Sequence, residues 1–337
     1  MTTPGSELES HPLTSGSAAP DGTQVEQVAG RSPTQLAVAR FRKDRLSMVA
    51  FGIMALYLVI GALAPFLVHF GVLDPYTYHQ DLLDIEAGSI PKGALGGVSW
   101  AHPLGVEPGT GRDVLSRLVL GITTSLSIAL SATVVAVGLG TVLGILSGFV
   151  GGFTDSVVGR LIDLTLSFPQ TLMLLALSGI AVTALVQIGI PAGDLANGTY
   201  VVLVLGLFGW PPIARIVRGQ VLSIREREFI EAARLMGAPR RRMYFKEVLP
   251  NLWAPLLVYF TLTMPAYISA EAALSFLGVG IKPPTPTLGN ILTDSVTYSQ
   301  ADFFFFFTPA FLIAVIVISF NLVGDGLRDA LDPRGAR

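Results

Sequence analysis

Apolar residues are gathered into six long blocks along the chain, and more polar segments separate the blocks. The blocks cover residues 46–64, 123–150, 161–190, 200–217, 252–277 and 303–322. An α-helix rises about 1.5 Å per residue, so about 20 apolar residues cross the roughly 30 Å hydrocarbon core of a bilayer. This pattern predicts an all-α, polytopic membrane protein with six transmembrane helices, which we call spans one to six.

Basic residues are concentrated in alternate segments between the spans. These segments include Arg40, Arg42, Lys43, Arg45, Arg160, Arg225, Arg227, Arg234, Arg240, Arg241, Arg242, Lys246, Arg328, Arg334 and Arg337. Segments rich in Lys and Arg stay on the cytoplasmic side of a membrane. We therefore predict that both termini and the loop between spans four and five are cytoplasmic. The segment at about 66–112 is predicted to be an external loop.

Residues 1–38 differ from the rest of the chain in being rich in Gly, Ser, Thr and Pro. Such a stretch buries too little apolar surface to offset the entropy of ordering it. It also lacks the apolar block after a basic start that defines a secretory signal. We predict a disordered cytoplasmic tail, followed by one transmembrane domain over residues 39–334.

Composition agrees with a membrane protein and narrows the chemistry. The 337 residues are 51% hydrophobic and 14% charged, whereas about 25% of the residues of a soluble domain are charged. A net charge of -2 gives no reason to expect a nucleic-acid partner. The absence of cysteine excludes disulfides and thiolate metal sites, and the four histidines lack metal-ligand spacing. We expect no metal or cofactor site in this chain.

Catalytic motifs are also missing from the sequence. There is no G-x4-G-K-S/T phosphate-binding loop, and no Ser-His-Asp, Cys-His or H-E-x-x-H arrangement. We therefore predict that the chain is not an enzyme and that any ATP involved in its function is bound by another protein.

Span two carries three glycines at i, i+4 and i+8, namely Gly140, Gly144 and Gly148. This spacing places three small residues on one helix face, where another helix can approach closely. The seam could involve a partner subunit, or the span could simply be rich in glycine.

The loop at residues 222–250 carries helix signals. Ser223 and Glu226 have the spacing of a capping box, which predicts a helix start. An apolar stripe follows, made of Phe229, Ala232, Ala233 and Met236. Gly237 suits the left-handed position that ends a helix.

A second helix is predicted from Pro239 to about Val248, with an end before Pro250. The pair would form a helix-turn-helix at the cytoplasmic surface. Its small-residue face, with the charge of Glu231 beside it, suits docking into a groove of a soluble partner. Alternatively, it is an amphipathic surface helix held by lipid and neighbouring spans.

This loop resembles the EAA motif of bacterial ABC importer permeases. The residues that carry the resemblance are Glu231, Ala232, Ala233 and Gly237, followed by Val248, Leu249 and Pro250. In that family the first helix of the loop is a coupling helix that sits in a cleft of the ATP-binding subunit. The resemblance implies that Glu231, Ala232, Ala233, Met236 and Gly237 dock onto the ATPase subunit.

The resemblance extends over about residues 40–334, and its further motifs are similar to those of the dipeptide/oligopeptide/nickel permeases, of the second permease type. These motifs lie at residues 102–105, 111–117, 163, 167–169, 274–278, 283–286, 324–329 and 331–334. The chain departs from the family in its longer N-terminal tail and in the insertion-like Pro108, Gly109 and Thr110.

The resemblance implies a permease subunit that forms half of the translocation pathway of an ATP-driven importer in the bacterial cell membrane. Di- or oligopeptides are the expected substrates, with nickel chelates or another small solute as alternatives. The implied partners are a homologous second permease, two ATP-binding subunits that hold ATP and Mg, an extracytoplasmic solute-binding protein and the lipid bilayer. An ion-coupled secondary transporter and a non-transporting scaffold are the rival classes.

Two acidic residues lie in or near the apolar blocks. A carboxylate at bilayer depth is costly, so each should face protein or water. For Glu271, a polar lining of the pathway and a pin between helices are both open. For Asp163 we favour an interfacial charge near the cytoplasmic end, paired with Arg160.

Overall fold

The computed structural model describes residues 33–332. Its helices are α1 Pro33–Lys43, α2 Arg45–His69, α3 Val114–Val150, α4 Gly152–Ser167, α5 Gln170–Gln187, α6 Asp194–Arg225, α7 Glu228–Leu235, α8 Arg240–Arg242, α9 Leu249–Phe276, α10 Leu288–Thr297 and α11 Phe303–Leu331. A π-helical segment, Met243–Val248, joins α8 to α9. Two short antiparallel strands, β1 Leu83–Asp84 and β2 Ile90–Pro91, lie in the segment between α2 and α3.

Six helices of the described residues are long and apolar enough to cross a membrane. They are α2, α3, α5, α6, the continuous helix Arg240–Phe276 and α11. This confirms the predicted all-α architecture with six spans.

The third span differs from its prediction over residues 161–190. The helix is interrupted at Phe168, which is extended (φ -96°, ψ 128°) and separates α4 from α5. Pro169 follows, and a proline disfavours the helical conformation of the residue before it. Residues 161–167 therefore belong to α4, and the span itself is α5.

Prolines elsewhere do not interrupt the helices. Span one was expected to end near Pro65, yet α2 continues to His69. Helix α6 runs through Pro211 and Pro212 without a break. A membrane helix tolerates proline because neighbouring helices and local adjustments satisfy the freed carbonyls. The amphipathic helix α10 was not predicted.

The predicted tail is also corrected at its end. Helix α1 begins at Pro33, inside the 1–38 stretch, and packs against α11. The Arg40 guanidinium donates to the Asp332 carbonyl at 3.0 Å. The packing of α1 against α11 joins residues far apart in sequence, so composition alone could not foresee it. Residues 1–32 lie outside the described part of the chain.

Helices α3 and α6 form the central pair of the bundle. Gly140, Gly144 and Gly148 of α3 face Ile213, Val217 and Val221 of α6, respectively. A Cβ placed on Gly144 would lie 2.7 Å from the Cβ of Val217, which is closer than two such atoms can approach. The glycine seam therefore lies inside this chain, between α3 and α6.

The bundle has two distinct ends. The loop end consists of residues 70–113, the start of α3 and helix α10. The α7 end consists of α7, α8, the last turns of α3 and α6, and the start of α9. The end of α6 is tied to that of α3 there, since the Arg225 guanidinium donates to the Gly148 carbonyl at 3.3 Å.

Candidate functional site

Helix α7 contains the residues of the EAA-like motif. It begins at Glu228, and Ser223 lies inside α6, which ends at Arg225. The predicted capping box is therefore wrong. The last turns of α6 pack against α3 through the buried Val221, and this packing outweighs the local start signal.

The end of α7 follows the prediction. Gly237 has φ of 73°, a left-handed conformation that glycine adopts at little cost. Its N–H donates to the Arg234 carbonyl at 3.0 Å, and the Ala238 N–H donates to the Ala233 carbonyl at 3.0 Å. These two bonds form a Schellman motif.

One face of α7 is fixed to the bundle and the other is open. Ile230 and Ala233, one turn apart, are buried in the main apolar core. Among the predicted docking residues, Glu231, Ala232, Met236 and Gly237 are exposed, whereas Ala233 points into the core. The predicted stripe is thus divided between two faces.

The open face of α7 carries apolar side chains. Leu235 is 83% exposed and Met236 is 75% exposed, and Phe229 is exposed as well. Leu235 was not among the predicted docking residues, because it does not follow the spacing of the stripe. An apolar surface on a short helix at the end of a bundle fits a groove on another protein.

The second helix of the loop was predicted to end before Pro250, and this prediction is wrong. A π-helical turn, in which the Leu249 N–H donates to the Tyr244 carbonyl, leads directly into α9. Helix α9 then continues through Pro250. Pro250 occupies the first turn of α9, where the missing N–H costs little. The loop is therefore continuous with span five.

Helix α4 is held to α6 by two ion pairs. Asp155 accepts hydrogen bonds from Arg218 Nε at 2.6 Å and Nη2 at 2.7 Å, and another from Ser147 of α3. These bonds lower the pKa of Asp155 to about 2. Asp163 pairs with Arg215 Nη2 at 2.7 Å, rather than with Arg160 as predicted.

Glu271 lies inside the bundle and is 1% exposed. Its carboxylate accepts hydrogen bonds from Ser125 Oγ of α3 at 2.9 Å and from Ser275 Oγ at 3.0 Å. Ser125 Oγ also accepts the Leu288 N–H at the start of α10. Glu271 thus joins three helices, α9, α3 and α10.

A buried charge cluster lies at the loop end. Arg112 Nε is 2.7 Å from Glu107 Oε2 and Arg117 Nε is 3.6 Å from it, and all three side chains are nearly inaccessible. Asp294 of α10 is close by, and burial, aided by the charge of Glu107, raises its pKa. Arg112 and Arg117 belong to the motif at residues 111–117, but no pattern in the sequence pairs them with Glu107 or Asp294.

Residues 33–332 hold no group of three or more His, Asp or Glu side chains that could bind a metal ion. His102 instead pairs with Asp113, with Nδ1 2.8 Å from Oδ2, and its ring lies 4.9 Å from that of His79.

Comparison with known proteins supplies the family. Residues 140–337 match the family described as binding-protein-dependent transport system inner membrane component. The chain belongs to this family. Residues 32–87 match the N-terminal TM domain of oligopeptide transport permease C. The resemblance identified from the sequence is thereby confirmed, and the chain is a permease component of an ABC transport system.

Relatives match the chain over nearly its whole length. The dipeptide transport system permease protein DppC of Alkalihalophilus pseudofirmus is 33% identical over 309 residues, which cover 92% of each chain. The oligopeptide transport system permease protein OppC of Escherichia coli is 35% identical over 309 residues, 91% of this chain and 93% of its own. These lengths leave no large part of either relative without a counterpart.

A solved structure shares the fold. The MetNI methionine ABC transporter in an inward-facing conformation aligns with 65% of this chain and 97% of its own, with a TM-score of 0.50 and 22% identity. Together with the six apolar helices, this family membership makes the chain a multi-pass membrane protein.

Proposed function

We propose that the chain is the permease subunit of an importer for di- or oligopeptides and that α7 is its coupling helix. The peptide substrate is supported by relatives named for dipeptide and oligopeptide transport. The observation that carries the coupling role is the division of α7 into a buried face and an exposed apolar face.

The coupling role is supported by how α7 is attached to the bundle. Its inner residues Ile230 and Ala233 are anchored in the core, so a force applied to α7 reaches the spans. Its outer face presents Glu231 and Ala232, with the large side chains of Leu235 and Met236 beside them. A groove on an ATP-binding subunit would cover these side chains.

In this proposal the α7 end is cytoplasmic and the loop end is external. The concentration of Arg residues at the α7 end supports this orientation. A homologous second permease completes the pathway, two ATP-binding subunits hold ATP and Mg, and a solute-binding protein delivers peptide to the loop end. The chain itself contributes no ATPase site.

The coupling step requires contacts that differ between two states. Closure of the ATP-binding subunits would displace α7, and the packed helices would then tilt as rigid bodies. We assign Glu271 to a helix pin, because its carboxylate is enclosed within the chain by Ser125 and Ser275. Asp163, which is 71% exposed, and its partner Arg215 hold α4 against α6.

The first experiment is affinity purification of the chain from native membranes, with identification of the co-purifying proteins by mass spectrometry. The test variant combines Glu231→Arg with Gly237→Trp on the open face of α7. We expect the wild type to recover ATP-binding subunits, a second permease and a solute-binding protein whose bound ligand is a peptide. The variant should lose the ATP-binding subunits at least about tenfold, since a charge reversal is placed in the docking surface.

A matched control is available at the loop end. Glu86 is exposed, and Gly88 has φ of 87° with open space around it, as Gly237 does. Glu86→Arg with Gly88→Trp therefore repeats the same substitutions and the same backbone strain away from α7. This variant should retain the ATP-binding subunits.

Equal loss from both variants would show that strain, rather than docking, is responsible, and would remove the assignment of α7. Recovery of the wild-type chain alone would favour an ion-coupled secondary transporter. A nickel chelate in the binding protein would replace the peptide substrate and leave the permease role intact.

A further inference from the structure

An apolar groove lies between α3 and α9 in the half of the bundle near the α7 end. Its lining includes Gly138, Val142 and Leu146 of α3, with Phe245, Trp253 and Leu257 from the other side. The groove has a volume of about 530 Å³. It opens at the surface, since Trp253 is 63% exposed and Val142 is exposed as well.

A basic pocket of about 280 Å³ continues the groove toward the end of α3. It is lined by Arg234 of α7 and Arg240 of α8, together with Phe149 and Val150. Tyr244 borders both the groove and the pocket, and its ring meets that of Phe149 edge to face at 5.2 Å. The two cavities thus share Tyr244 as a common wall, with arginines on one side of it and apolar side chains on the other.

The two arginines of the pocket are available to an anion. Neither Arg234 nor Arg240 forms an ion pair with any residue in the described range. The neighbouring Arg242, by contrast, lies 3.7 Å from Glu247. The positive charge in the pocket is therefore not balanced from within this part of the chain.

The dimensions fit one leaflet of a bilayer. The groove extends along α3 from Leu146 to Val137, which is nine residues or about 14 Å. Half of the hydrocarbon core is about 15 Å thick. The basic pocket lies one turn beyond Leu146, at the depth where a phospholipid carries its phosphate.

We propose that this composite site binds an anionic phospholipid. The phosphate lies between Arg234 and Arg240, Tyr244 marks the interface, and one acyl chain fills the groove. Basic pockets between membrane helices on the cytoplasmic side bind anionic headgroups, and tyrosine is enriched at the same level. A transmembrane helix of a second subunit would cover the groove but would leave the two arginines unbalanced.

This site goes beyond the transport role, because it places a lipid against α7 itself. Arg234 belongs to α7, while the groove belongs to α3 and α9. A bound lipid would therefore bridge the coupling helix and two spans.

The test measures lipid retained by the purified complex that contains the full chain, by native mass spectrometry in titrations with phosphatidylglycerol and with phosphatidylcholine. The wild type should retain phosphatidylglycerol in preference to phosphatidylcholine. Arg234→Gln with Arg240→Gln should weaken its retention roughly tenfold to thirtyfold. Arg42→Gln with Arg45→Gln removes two exposed charges near α2 and should change nothing.

A second variant tests the groove separately. Gly138 is helical and has no other group within 4 Å of a Cβ built on it, so Gly138→Leu fills the groove without a clash. It should lower phosphatidylglycerol retention about as strongly as the arginine variant. Gly52→Leu in α2 has equally open surroundings and is the matched control.

Three results would overturn the proposal. Phosphatidylcholine could be retained as well as phosphatidylglycerol, or the Arg42 and Arg45 control could lose as much lipid as the test variant. A photo-cross-linker placed at Val142 could also join the chain to another protein, which would assign the groove to a partner helix. Cross-linking to lipid is the expected outcome.

Discussion

The two ends of the bundle differ in whether their charged side chains are buried or exposed. At the loop end, Glu107, Arg112 and Arg117 are buried together, and the one carboxylate lies within 4 Å of both guanidinium groups. At the α7 end, Arg234 and Arg240 are exposed and form no ion pair within residues 33–332. The loop end keeps these charges inside the chain, whereas the α7 end presents charge to its surroundings.

Apolar exposure does not separate the two ends. The loop end encloses Leu288 and Ile291 of α10 in the main core, yet Trp100 is fully exposed there. The α7 end leaves Leu235 and Met236 open. An exposed apolar group is typical of a surface that another molecule covers. The difference between the two ends therefore lies in the placement of their charges rather than in their apolar side chains.

The largest expected effect is at the loop end. Glu107→Gln would leave Arg112 and Arg117 buried beside each other without the carboxylate that pairs with both. We expect a loss of about 3–5 kcal/mol of unfolding free energy, because an uncompensated buried charge is costly. Thermal unfolding of the purified protein in detergent would measure this loss.

Glu247→Gln is the matched change at the α7 end. The partner of Glu247 is Arg242, whose Nε lies 3.7 Å from Glu247 Oε1 and whose side chain is 53% exposed. The loss of unfolding free energy should therefore be within about 0.5 kcal/mol. Similar losses from the two substitutions would contradict the distinction between the ends.

A smaller effect is expected from Asp155→Asn in α4. Its folded pKa of about 2 is below the ordinary value of 3.8, so the ionised group stabilises the fold above pH 4. That contribution is lost as pH falls from about 4 to about 2. We expect Asp155→Asn to lower the unfolding free energy by about 1–2 kcal/mol at neutral pH. This loss is smaller than the pKa shift alone implies, because solvent screens the partly exposed Arg218.

The melting temperatures of the wild type and of Asp155→Asn should therefore approach each other as pH falls from about 4 to about 2. Asp163→Asn serves as the control. Asp163 and Arg215 are both mostly exposed, so their ion pair should contribute less to the unfolding free energy. A constant difference between wild type and Asp155→Asn down to pH 2 would count against the pairing with Arg218.

The effect expected from Asp294→Asn has the opposite sign. Burial raises the pKa of Asp294, so its contribution to stability is present at acid pH and is lost as pH rises through the folded pKa. Above the folded pKa the ionised group is a cost, and Asn should raise the melting temperature there by a few degrees. A fall in melting temperature above the folded pKa would contradict this assignment.

The spans could be predicted because each depends on a local property, the length of an apolar block. The end of α7 could also be predicted, since only glycine adopts the left-handed position of Gly237 cheaply. The start of α7 could not. Ser223 lies in α6 because of packing against α3, which the local sequence does not encode.

The open face of α7 was predicted only in part for a similar reason. Helical periodicity grouped Ala232 with Ala233, but which of them faces the core depends on where α7 sits on the bundle. Helix α10 and the Glu107 cluster depend on residues far apart in sequence, such as Arg117 and Asp294. No periodic pattern marks such pairings.

The glycine seam between α3 and α6 has a mechanical consequence. Because Gly140, Gly144 and Gly148 bring the two backbones into close contact, the pair should bend little and act as one stiff lever. Helix α6 alone spans 32 residues, or about 48 Å, and only two residues separate it from α7. A small rotation at α7 would therefore become a larger displacement at the far tip of this lever, which lies at the loop end.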